Sequence, residues 1–78
     1  MDYKTLLNKL PKETELHYVQ DCTQFFSDNE LTIPTEYKFI LFSETTDYFP
    51  DTVNSLKSNN IDFIIKKDEF DLDYILIK

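Results

Sequence analysis

Side chains able to do covalent or metal chemistry are scarce in this chain. It carries one histidine, His17, and one cysteine, Cys22. On a helix their spacing sets them about 140° apart, so they do not form a nucleophile and its base. A structural zinc site needs four such ligands, and these two are all there are. The acidic run Asp68, Glu69, Asp71 and Asp73 has carboxylates that calcium would accept, but it lacks the further oxygens and the glycine of a calcium loop. The chain contains no glycine at all, which excludes a glycine-rich phosphate cradle. No metal, no cofactor and no enzymatic activity are expected.

What the acids can do is present charge. Fifteen Asp and Glu stand against eight lysines, a formal net charge of −7. Such a field repels nucleic acid and anionic membrane and attracts basic surfaces. With no arginine and scattered lysines, direct nucleic-acid binding is not expected. Asp71 and Asp73 share one face of a predicted strand, about 7 Å apart. Asp62 lies on the same face of the neighbouring strand, and Asp68 and Glu69 continue the ridge into the turn. Glu44, Asp47 and Asp51 form a second group around the entry to a predicted helix, where Asp51 also suits the helix's positive end.

Ile64, Ile75 and Ile77 interleave with the hairpin acids as an aliphatic patch, to be covered by the N-terminal helices, a partner or a second copy. An acidic rim around an aliphatic centre is the anatomy of a protein-binding face. The candidate contacts are therefore Asp62, Asp68, Glu69, Asp71, Asp73, Ile64, Ile75, Glu44, Asp47 and Asp51. The competing explanation is that charged turns and edges only keep sheets from aggregating.

These groups must be positioned by a small scaffold. Residues 2–10 read as a short amphipathic helix, with Asp2 as its cap and Tyr3, Leu6, Leu7 and Leu10 on one stripe. Pro11 ends it. Residues 12–27 gather Tyr18, Val19, Cys22, Phe25 and Phe26 on one face of a helix. The alternative is an edge strand near Glu15–Val19 followed by a short helix. Residues 28–36 read as a loop. Residues 37–43 form a strand whose continuous apolar centre predicts burial on both faces. A helix from about Pro50 to Ser58 turns Val53, Leu56 and Phe49 inward and stops at Asn59-Asn60, Asn replacing the missing Gly. Residues 61–78 read as a β-hairpin centred on Asp68-Glu69. Ile65 then faces Leu72, Phe63 faces Tyr74 and Ile61 faces Leu76, while Lys66 meets Asp71, Ile64 meets Asp73 and Asp62 meets Ile75.

The predicted fold is a single α+β domain over residues 1–78. Its order is α-α-β-α-β-β, two-layered, with a right-handed βαβ crossover and a three-stranded mixed sheet ending in the hairpin. A chain this short buries only about 60% of its unfolded surface, and its seven Phe and five Tyr supply much of the apolar area. Richness in Asn, Lys, Ile, Phe, Tyr and Asp, with no Gly, Ala, Arg or Trp, suits an AT-rich bacterial, phage or viral genome. A lone cysteine favours a reducing compartment, and no signal pattern or membrane-length apolar run is present, so the cytoplasm is expected. The expected function is that of a small acidic inhibitor, phage-encoded, mimicking DNA to block the basic nucleic-acid site of a host replication, transcription or defence protein. Homodimerisation is an open option. The alternatives are an antitoxin or immunity protein that plugs a toxin's active site, and an adaptor domain whose charge is incidental.

Overall fold

A computed structural model describes residues 1–45 and 49–78. Helix α1 spans Tyr3–Asn8 and is capped as its sequence predicts, Asp2 Oδ1 accepting the Thr5 amide at 2.8 Å. Leu6 and Leu10 are buried, with Tyr3 and Leu7 packed beside them.

The single helix expected over 12–27 does not form, and the alternative, an edge strand followed by a short helix, does. Strand β1 (His17–Tyr18) leads into a 3-10 turn (Val19–Asp21), and helix α2 covers Thr23–Asp28. Leu16 is buried in one core with Leu6 and Leu56, whereas Val19 and Phe26 are buried in another with Ile40 and Leu76. One helix lies on one face of a sheet and cannot reach both cores. The chain instead crosses the sheet edge as β1, its pairing prolonged by the Val19 amide on the Lys38 carbonyl at 2.9 Å. Helix α2 ends when the amides of Glu30 and Leu31 turn back onto the carbonyls of Ser27 and Phe26, with Glu30 at φ 55° in the left-handed position glycine usually fills.

Strand β2 (Phe39–Phe42) has the two-faced burial expected of it. Helix α3 (Phe49–Ser58) buries Leu56 and packs Phe49 and Val53 on the same core. It ends by the same motif as α2, with Asn60 at φ 56° and Ile61 closing onto Leu56. The remaining strands are β3 (Phe63–Lys67) and β4 (Asp73–Ile77).

The sheet is four-stranded and wholly antiparallel, in the order β1-β2-β4-β3, rather than three-stranded and mixed. Strands β2 and β3 run the same way, but β4 lies between them, so the expected crossover is split by the last strand. Alternate residues of β2 and β4 feed opposite cores. Phe39, Leu41, Ile75 and Ile77 meet α1 and α3, while Ile40, Tyr74 and Leu76 meet α2. Helices therefore cover both faces, and the expected two layers become three.

The hairpin exists, with a different register. Phe63 pairs with Ile77, Ile65 with Ile75 and Lys67 with Asp73. Ile64 consequently sits opposite Leu76 and not Asp73. β4 is apolar on both faces, so alternation cannot distinguish one register from another, and the turn decides.

An acidic cleft at the hairpin tip

The turn is built by a carboxylate. Asp68 Oδ1 accepts the amides of Phe70 at 2.8 Å and Leu72 at 3.0 Å. The Asp68 amide meets the Leu72 carbonyl at 2.9 Å, and the Asp71 amide meets the Asp68 carbonyl at 3.1 Å. Glu69, Phe70 and Asp71 form the three-residue loop between them, closed by Asp71 at φ 64°. That is the usual solution for a loop of this length, with an aspartate where glycine is common. Asn29 ties the tip to α2: its Oδ1 accepts the Glu69 amide at 3.0 Å while its Nδ2 donates to the Phe25 carbonyl at 2.9 Å.

Between the end of α2, the exit of β2 and this tip lies a cleft of about 400 Å³. Its walls carry Phe25, Phe42, Phe70 and Leu72, with Asn29, and the acids Asp28, Glu44, Asp68 and Asp73 complete the lining. Phe25 is locked edge-on against Phe42 at 4.8 Å and Tyr74 at 5.2 Å between ring centroids. Phe70 is 76% exposed.

Lys67 is the cation held within this group, 3.0 Å from Asp73 and 3.7 Å from Asp71. The hydrogen bond to Asp73, with the charges of both aspartates, raises its pKa above the ordinary lysine value. Burial, then the Asp68 charge, pushes the Tyr74 hydroxyl up. Burial, then Asp21, pushes the Cys22 thiol up as well, which keeps it protonated and a poor nucleophile. Among the described residues no group of three or more His, Cys, Asp or Glu is placed to hold a metal ion. No helix among them is long and apolar enough to cross a membrane.

The structure gathers only part of the predicted contact set. Asp68, Asp73 and Glu44 line the cleft, and Glu69 and Asp71 stand exposed on the loop above it. Asp62 lies at the far end of the hairpin, where its carbonyl accepts the Lys78 amide at 3.1 Å. Asp51 is exposed in the first turn of α3, and Asp47 lies outside the described residues. Ile75 has no exposure and belongs to the core, so it cannot touch a partner. Ile64 is half-buried against Tyr74 and Leu76, which removes the aliphatic centre the other register would create. Its place is taken by Phe25, Phe42 and Phe70, with Asp28 added to the rim. One signal for Phe70 was present in the sequence, since a phenylalanine inside a tight acidic turn has no strand neighbour to bury it. Phe25 and Asp28 reach the cleft only through the strand-then-helix path of residues 17–28, which the single-helix reading hid. Comparison with known protein families, curated proteins and solved structures finds no match to the chain.

Proposed function

We propose that this protein is an acidic, protein-binding inhibitor that acts as a DNA mimic, its hairpin-tip end occupying the basic nucleic-acid site of a larger protein. The observation that carries this reading is the concentration of Asp28, Glu44, Asp68, Glu69, Asp71 and Asp73 at one end of the sheet, with Lys67 bridging Asp71 and Asp73. Carboxylates fixed on a paired scaffold present charge without an ordering cost on binding, and a field of this sign steers a basic partner into contact. The AT-rich residue usage supports a phage setting, with a host replication, transcription or defence protein as the target.

The test is affinity capture from bacterial lysate on the immobilised protein, followed by elution with duplex DNA. The expected result is a nucleic-acid-binding protein that DNA displaces and that Glu69→Gln/Asp71→Asn/Asp73→Asn no longer retains. A captured partner indifferent both to DNA and to these changes would overturn the reading. A second reading, an antitoxin or immunity protein, is supported by the projection of Phe70 from the tip, as a plug for an enzyme's pocket. It predicts a captured enzyme whose activity returns with Phe70→Ala but not with loss of charge.

A further inference from the structure

We infer that the cleft between α2 and the hairpin tip receives an arginine side chain from the partner. The inference rests on the reading of this end as a protein-binding surface, and it names the group that surface grips.

The cleft offers two chemistries side by side. Phe25, Phe42 and Phe70 supply ring surface, and Asp28, Glu44 and Asp73 supply carboxylates around it. Not all of these oxygens are committed elsewhere. Asp68 Oδ1 is spent on two loop amides, whereas Asp28 engages Gln24 Nε2 through Oδ1 alone, at 2.7 Å, and among the described residues Glu44 has no ion pair.

An anionic occupant is repelled by this rim. A purely aliphatic one would use the rings but would leave the carboxylates partly desolvated and unmatched. A lysine ammonium suits the carboxylates, yet as a compact, strongly hydrated charge it gains less from the rings. A guanidinium uses both, because its plane stacks on an aromatic face while its fork of N–H donors meets carboxylates at the edge. The volume, about 400 Å³, lies at the small end of ligand pockets and accommodates one such side chain with its flanking backbone. Phe70, 76% exposed, is the wall such a group meets first. Arginine is also the group with which nucleic-acid-binding sites grip phosphates, so an occupied cleft removes it from that task.

The probes are blocked dipeptides, acetyl-Leu-Arg-amide, acetyl-Leu-Lys-amide and acetyl-Leu-citrulline-amide, titrated into the ¹⁵N-labelled full chain and followed by amide shifts. The expected result is a saturable response at Phe25, Asn29, Phe42 and Phe70, several-fold tighter for arginine than for lysine and weakest for citrulline, which keeps the shape and loses the charge. Phe70→Ala should weaken arginine binding several-fold while leaving amide shifts outside the tip in place. Glu44→Gln, exposed and distant from the loop bonds, provides a second variant with the same expected loss. Citrulline binding as well as arginine, or shifts that rise linearly over the whole surface, would overturn the inference. The wider reading would then stand or fall separately on displacement of the captured partner by DNA. Saturable arginine binding with a captured partner that ignores DNA would instead support the cleft and sink the mimic.

Discussion

The two ends of the sheet handle charge in opposite ways. At the open end, where β2 begins and β4 finishes, backbone pairs close the structure: Lys38 amide to Ile77 carbonyl at 2.9 Å and Lys78 amide to Asp62 carbonyl at 3.1 Å. The lysines there lie near rings, Lys38 5.4 Å from the Phe39 centroid and Lys78 5.8 Å from that of Tyr37, and Lys38 also reaches Asp2 electrostatically. At the tip end side chains, Asp68 and Asn29, add to the backbone bonds that close the turn, and acids crowd around one lysine. Six of the fifteen acids, Asp28, Glu44, Asp68, Glu69, Asp71 and Asp73, thus stand at the tip end.

The strand joining the two ends sets the largest expected effect. Ile75→Ala should cost about 2–5 kcal/mol in urea unfolding, because Ile75 is fully buried and its methyl groups leave a cavity. A loss below about 1 kcal/mol would return Ile75 to the surface and with it the other register. Next comes the division of labour among the tip acids. Asp68→Ala strands two loop amides and should lower stability by about 1–3 kcal/mol, whereas Glu69→Gln with Asp71→Asn should stay within about 0.5 kcal/mol of the parent. Similar losses from both would mean that the tip acids are structural as a group and not a surface for a partner.

A smaller effect, of opposite sign, is expected at the end of α2. Glu30→Gly should raise stability by up to about 1 kcal/mol, because glycine enters the left-handed region without the penalty a Cβ imposes. Destabilisation would show that the Glu30 side chain has a role in holding the cleft.

The smallest effects are in pH, and the two ends should differ in which extreme they feel. The Thr5 amide, then the Thr5 side chain, hold the Asp2 carboxyl below the ordinary aspartate value. Its contribution is complete above that ordinary value, about 3.9, and is lost as pH falls through the lowered one. Lys67 is raised by Asp73 and Asp71, so its contribution is complete below the ordinary lysine value, about 10.4, and is lost as pH rises through the raised one. Side-chain NMR titration of the two residues should place Asp2 below and Lys67 above their reference values, and the converse would remove the contrast.

Much of the scaffold could be read from local signals. The Asp2 cap with its Leu stripe, the Asn60 stop of α3 and the unbroken apolar run of β2 each depend on a few adjacent residues, and each stands where it was expected. Failures came where a segment serves both faces of the sheet. A helical period over 12–27 sets Tyr18 on one stripe with Val19, Cys22, Phe25 and Phe26, yet Tyr18 packs on Tyr3 and Phe39 beside the other core. Tyr74-Ile75-Leu76-Ile77 is as continuous an apolar run as Phe39-Ile40-Leu41-Phe42, which marks two interior strands lying side by side. Strand β3, with Ile65 45% exposed and Lys66 and Lys67 beyond it, has the profile of an edge. Of the site, the acids of the tip were legible as a run, but the aromatic walls were not, because a cleft between distant segments exists only once strand order and register are settled.

The position of β4 between β2 and β3 also bears on how the chain emerges from a ribosome. The strand that pairs with both β2 and β3 is the last of the four to be made. A nascent chain that has reached Lys67 holds β2 and β3 with no bond between them, their apolar residues waiting for residues 73–77. At elongation rates of about 5–20 residues per second, that interval lasts around a second, and longer while the ribosomal tunnel hides the newest residues. Folding is thereby held back until residues 73–77 have been made and have left the tunnel, and until they do the edges of β2 and β3 that they pair stay unmated.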